Sequence, residues 1–152
     1  MIGLDTNVLV RYLTQDDEAQ AAVASRLIET ELSAQRPGLI GPIVLCELVW
    51  VLETSYGHTR AELAPILWKL LAAEEFRIQT RDEVMIALQA YESTTADFAD
   101  ALLGVQNLRA DCETTATFDK KAQDNCDRGM QCLLMVARSP IGSRSQGTLS
   151  VH

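Results

Sequence analysis

Four carboxylates, Asp5, Glu47, Asp100 and Asp119, together have the chemistry of a hard-cation site. Asp5 directly follows an apolar run, in Leu4-Asp5-Thr6-Asn7; taken alone it reads equally well as a helix cap. Glu47 is the only charged residue in Ile43-Val-Leu-Cys-Glu-Leu-Val-Trp-Val-Leu52. A helix apolar all round is a buried helix. A carboxylate inside one must be paired with an arginine, protonated or bound to a metal, because burying an isolated charge is very costly. Asp97 and Asp100 are three residues apart and share a helix side. Asp97 doubles as the fourth residue of a capping pattern, Thr94-Thr-Ala-Asp97, whereas Asp100 has no such duty and lies roughly opposite Phe98, Leu102 and Val105 at about 100° per residue. Asp119, in Thr117-Phe-Asp-Lys-Lys121, reads alone as a turn residue. Brought together, like charges need cations between them. Oxygen ligands without histidine or thiolate favour Mg²⁺ or Mn²⁺. The chemistry of such a site is phosphodiester hydrolysis by in-line attack of an activated water.

The elements that would bring them together follow from the periodicity. β-like runs at Met1–Leu4, Gly38–Gly41, Phe76–Gln79, Glu113–Thr117 and Gln131–Met135 alternate with helical stretches. Thr80-Arg-Asp-Glu83, Thr94-Thr-Ala-Asp97 and Thr59-Arg-Ala-Glu62 each read as a capping box. Pro65 then predicts a kink or a later start for the third helix. Gly41-Pro42 suits a cap followed by a first-turn proline. Strand-then-helix repetition predicts a three-layer α/β/α fold with a central, mainly parallel sheet. Asp5 and Asp119 then come just after strands, and Glu47 and Asp100 in the first turns of helices. These places converge on the carboxyl edge of a parallel sheet, where ligands bind.

Composition bounds the rest. The 152 residues suit one domain, read here as 1–138, with 139–152 an aperiodic tail or expression scar. A net charge of −8, from 13 Lys and Arg against 21 Asp and Glu, excludes nucleic-acid binding by bulk positive charge. It leaves room for phosphate binding through metal ions. Cys46, Cys112, Cys126 and Cys132 form no CxxC pair, so reduced thiols are expected rather than a zinc site. No apolar run approaches the ~20 residues of a membrane span. No signal peptide is visible, and a cytoplasmic location is expected.

The residues also resemble a known family. Met1-Ile-Gly-Leu-Asp-Thr-Asn-Val-Leu-Val-Arg-Tyr-Leu13 resembles the opening of PIN-domain proteins, in particular VapC-type toxins. Cys46-Glu-Leu-Val-Trp-Val-Leu-Glu53, Asp97-Phe-Ala-Asp-Ala-Leu-Leu103 and Thr115-Ala-Thr-Phe-Asp-Lys-Lys121 resemble the later acidic motifs, in order, with the likeness running from Met1 to about Met135. The tail after Arg138 departs from it. The resemblance implies an acidic quartet of Asp5, Glu47, Asp100 and Asp119, with Asp97 an accessory and Asn7 and Thr117 orienting the site. It implies endoribonuclease activity, homodimerisation and inhibition by a cognate antitoxin. Arg11, Lys120 and Lys121 are the candidate RNA contacts near these acids. The apolar positions of Ile43–Leu52 are expected to be core, the alternative being a surface for a partner or a second copy. Two rival readings remain. One is a non-catalytic module on the same fold. The other is a phosphotransferase of haloacid-dehalogenase type with Asp5 as nucleophile, which would lack its general acid because position 7 is Asn.

Overall fold

The computed structural model describes residues 1–119 and 134–135. Its elements are β1 (Ile2–Gly3), α1 (Thr6–Thr14), α2 (Glu18–Arg26, continued by one π turn over Leu27–Glu31), β2 (Gly38–Ile40), α3 (Pro42–Tyr56), α4 (Arg60–Ala72), β3 (Phe76–Ile78), α5 (Arg81–Ser93), α6 (Phe98–Arg109), β4 (Thr115–Ala116) and β5 (Leu134–Met135). Strands β1, β2 and β3 pair in that order, all parallel, with Ile2 opposite Gly38 and Gly38 opposite Phe76. A second parallel pair joins β4 to β5, Thr115 opposite Leu134. Parallel neighbours require helical crossovers, and the chain supplies them in pairs, giving the expected three-layer α/β/α architecture. The first four expected strands are present, each shorter than its β-like run, and the fifth is described at Leu134–Met135. The expected tail, 139–152, lies outside the described residues, as do Lys120, Lys121, Cys126 and Cys132. Among the described residues Cys46 and Cys112 are free thiols, and no helix is long and apolar enough to cross a membrane.

Local chemistry explains most helix ends. Gly41 caps α3 with Pro42 in the first turn, and Gly57, at φ 71°, ends it in the left-handed conformation that glycine adopts without strain. At Thr59 the Glu62 carboxylate accepts the backbone N–H at 2.7 Å and the hydroxyl at 2.8 Å, so this capping box forms. α4 then starts at Arg60 and is continuous through Pro65, so the later start predicted from that proline is not seen. The other two boxes do not form as expected. Thr80 adopts φ 49° and its side chain makes no cap bond. Thr94 closes α5 instead of opening α6: its hydroxyl donates to the Ala90 carbonyl at 2.7 Å. The cap of α6 is Asp97 itself, whose Oδ1 accepts the Asp100 N–H at 2.7 Å.

The core runs between the helices and the sheet through Leu9, Ile40, Leu45, Leu48, Leu52, Leu67 and Leu88, all essentially inaccessible. α3 corrects the sequence reading. It buries Leu45, Leu48, Val49 and Leu52 against neighbours that include α1, α4 and α6. Ile43 and Trp50, however, are 81% and 63% exposed, and Glu47 is exposed between them. The helix packs on one face only, so Glu47 is not a carboxylate enclosed in apolar surroundings, and Ile43 and Trp50 are not core.

Candidate metal centre

Three carboxylates meet in the structure. Asp97, Asp100 and Asp119 each offer one oxygen, and these oxygens all lie within 4.8 Å of one another. Asp97 and Asp100 are brought there by the start of α6, as the cap and the third helical residue. Asp119 arrives from the segment after β4. The hydroxyl of Thr117 accepts the Asp119 N–H at 3.0 Å, and the Asn107 amide donates to the Thr115 hydroxyl at 2.9 Å, tying β4 to α6. Thr117 therefore braces the backbone of Asp119. Asp97 stands in the group beside Asp100, whereas the resemblance implies only an accessory place for it; its capping bond uses one of its two oxygens.

The crowding has an electrostatic signature. Partial burial pushes the Asp100 carboxyl above its usual range, and the charges of Asp97 and Asp119 push it the same way. This donor set fits a hard divalent ion. Ligand oxygens about 2.1 Å from an octahedral Mg²⁺ stand about 3 to 4.2 Å apart, a spacing these side chains can close to. Neither histidine nor thiolate is in the group, so soft metals have no advantage there.

Asp5 and Glu47 do not enter that three-carboxylate group. Asp5 occupies the cap position of α1 with extended backbone, φ −88° and ψ 158°, yet its side chain makes no cap bond. The bland reading of Asp5 as a capping side chain is therefore not realised, and its carboxylate stays exposed at the end of β1. Glu47 lies in the second turn of α3, not the first. Its Oε2 accepts the Thr6 hydroxyl at 2.5 Å, and Thr6 is 3% exposed. That bond fixes Glu47 beside the start of α1, next to Asp5 in sequence. Burial raises the thiol pKa of the neighbouring Cys46, and the charge of Asp97 raises it further.

Thr6 is the positioning group that sequence reasoning missed. Its only sequence signal was a hydroxyl directly after Asp5, while its partner is 41 residues away. Asn7 is exposed and lines an apolar groove of about 430 Å³ between α1 and α2, together with Val8, Val23 and Leu27. Arg11 borders the same groove, but its donors are engaged within the fold. They reach Asp16 at 2.8 Å, Gln20 at 2.8 Å and the Tyr56 hydroxyl at 3.3 Å. The Tyr56 and Thr14 hydroxyls and Arg11 hold the Asp16 carboxyl at a pKa of about 2. This network ties the end of α3 to the α1–α2 turn, so Arg11 has a structural duty of its own.

Parallel strands joined by helix pairs, with acidic residues after β1 and β4, in the second turn of α3 and at the start of α6, define a class, and the sequence comparison agrees with it. The chain belongs to the PIN-domain family, whose model matches residues 2–128 and so spans all five carboxylates. Among curated proteins it is similar to a VapC ribonuclease of Aquifex aeolicus (strain VF5), 26% identical over 119 residues, which cover 78% of this chain and 87% of that protein. No solved structure matches.

Proposed function

We propose that this chain is a Mg²⁺- or Mn²⁺-dependent endoribonuclease, the toxin of a toxin–antitoxin pair, acting in the cytoplasm as a homodimer. The observation that carries the reading is the convergence of Asp97, Asp100 and Asp119 in a PIN-domain chain whose Glu47 is fixed by Thr6 at the start of α1. The similarity to a VapC ribonuclease supports RNA as the substrate and a cognate antitoxin as the partner.

In this reading Asp97, Asp100 and Asp119 would hold the ion, and Asp5 and Glu47 would complete the acidic site. A divalent ion there supplies Lewis-acid polarisation of a phosphoryl oxygen and lowers the pKa of a water. The carboxylates do three further things. They would hold the cations without which an acidic pocket repels an anionic phosphodiester. Their fixed positions orient the scissile group for in-line attack. Glu47, restrained by Thr6, would receive a proton from the attacking water. Lys120 and Lys121 follow Asp119 in sequence and are the candidate phosphate contacts of this acidic chain.

The test is incubation of a total RNA pool with the purified chain in Mg²⁺ or Mn²⁺, in EDTA, and after co-purification with the product of the adjacent reading frame. Discrete cuts are expected with either metal, none in EDTA and none from the complex. Equal cleavage in EDTA contradicts the metal reading. A complex that cleaves as well as the free chain contradicts the toxin reading and leaves a free-standing nuclease.

A further inference from the structure

Arg60 is an unexpected residue at the first position of α4, because a cation there opposes the dipole of its own helix. Its side chain serves another helix. The guanidinium donates to the carbonyls of Tyr91 and Thr94, the latter at 3.0 Å, and to that of Thr95 at 3.3 Å. The first two belong to the last turn and cap of α5, where carbonyls lack helical partners and a cation is favoured. The third belongs to the connection leading directly to Asp97. The guanidinium carbon also lies 4.1 Å from the centroid of the Tyr91 ring. That ring meets Phe98 edge to face, centroids 6.0 Å apart at 85°. Both rings are 1% exposed. Phe98 is the first residue of α6, flanked by the cap Asp97 and followed two residues later by Asp100.

From this chain of contacts we infer that Arg60 is a positioning residue for the metal centre: it locks the α5–α6 connection and, through the Tyr91 and Phe98 rings, fixes the first turn of α6 that presents Asp97 and Asp100. The packing of that turn needs only the two rings. The guanidinium adds restraint on Thr94 and Thr95, just before Asp97, and cluster geometry depends on that restraint. A planar fork is suited to several carbonyls at once, whereas a lysine ammonium is a point donor. The inference rests on the reading of these aspartates as a cation site.

Manganese affinity is the readout, taken by titrating Mn²⁺ into the full chain at temperatures where each variant is folded. Loss of an outer partner of a metal ligand typically weakens binding about 10- to 100-fold. Arg60→Lys is expected to weaken Mn²⁺ binding about 10-fold and Arg60→Ala more. Leu67→Ala, which removes a buried side chain of the same helix, is expected to lower the melting temperature and leave Mn²⁺ affinity as in the wild type. Arg60 variants that bind Mn²⁺ as tightly as the wild type overturn the inference, as does a Leu67→Ala chain weakened as much as Arg60→Lys. A wild-type chain that binds no Mn²⁺ fails differently, overturning the cation-site reading and the inference with it.

Discussion

Asp100→Asn is expected to lower metal-dependent RNA cleavage by more than about 100-fold, since loss of even an outer partner costs about 10- to 100-fold. The metal-free variant should melt no lower than the wild type. Both halves follow from the same geometry. The carboxylate is one of three converging oxygens, and an amide in its place gives the ion a neutral, weaker ligand. Without metal, that carboxylate is held among like charges with part of its hydration removed. The sign is fixed by the direction of the shift. A carboxyl raised above its unfolded value disfavours the native state once pH has risen through both values, and that penalty disappears as pH falls back through them. Asparagine removes the penalty at neutral pH. Cleavage assays and thermal melts in EDTA check the two halves. A variant that cleaves at the wild-type rate, or one that melts well below the wild type in EDTA, goes against the assignment.

The second large effect separates the two faces of α3. Leu48→Ala is expected to cost about 2–5 kcal/mol, because the side chain is fully buried and its neighbours collapse only in part around the cavity. That is a large share of the roughly 5–15 kcal/mol typical of a whole domain. Trp50→Ala, two residues on, removes a larger side chain that is 63% exposed and should change stability by no more than about 0.5 kcal/mol. Denaturant titration at low protein concentration measures both. Equal losses at the two positions would mean that the outward face of α3 is covered, by a second copy or another chain, even in dilute solution.

These two residues also show what the sequence disclosed. It placed the strands, the Gly41-Pro42 start and the Thr59–Glu62 box, because each depends on neighbours a few residues apart. A threonine followed three residues later by an acid did not determine whether the threonine would cap the next helix. Thr80 went to a positive φ, and the Thr94 hydroxyl was taken by the turn before it. The apolar composition of Ile43–Leu52 did not reveal that its outward positions lack a covering layer among the described residues. Asp97, Asp100 and Asp119 were legible as acids on suitable elements, and the structure brings them together. The groups that hold the candidate site were hidden for a different reason. Thr6 and Arg60 work through partners 41 and 31 to 35 residues away, and no local pattern encodes such contacts.

Asp97, Asp100 and Asp119 are proposed to form one divalent-cation site. It is tested most directly by titrating Mn²⁺ into the chain and following free Mn²⁺ by electron paramagnetic resonance, for the wild type and for Asp97→Asn, Asp100→Asn and Asp119→Asn separately. The account predicts saturable binding by the wild type and marked weakening in each variant, with binding recovered in none of them by raising pH. Absence of binding to the wild type, or binding that all three substitutions leave unchanged, would contradict it.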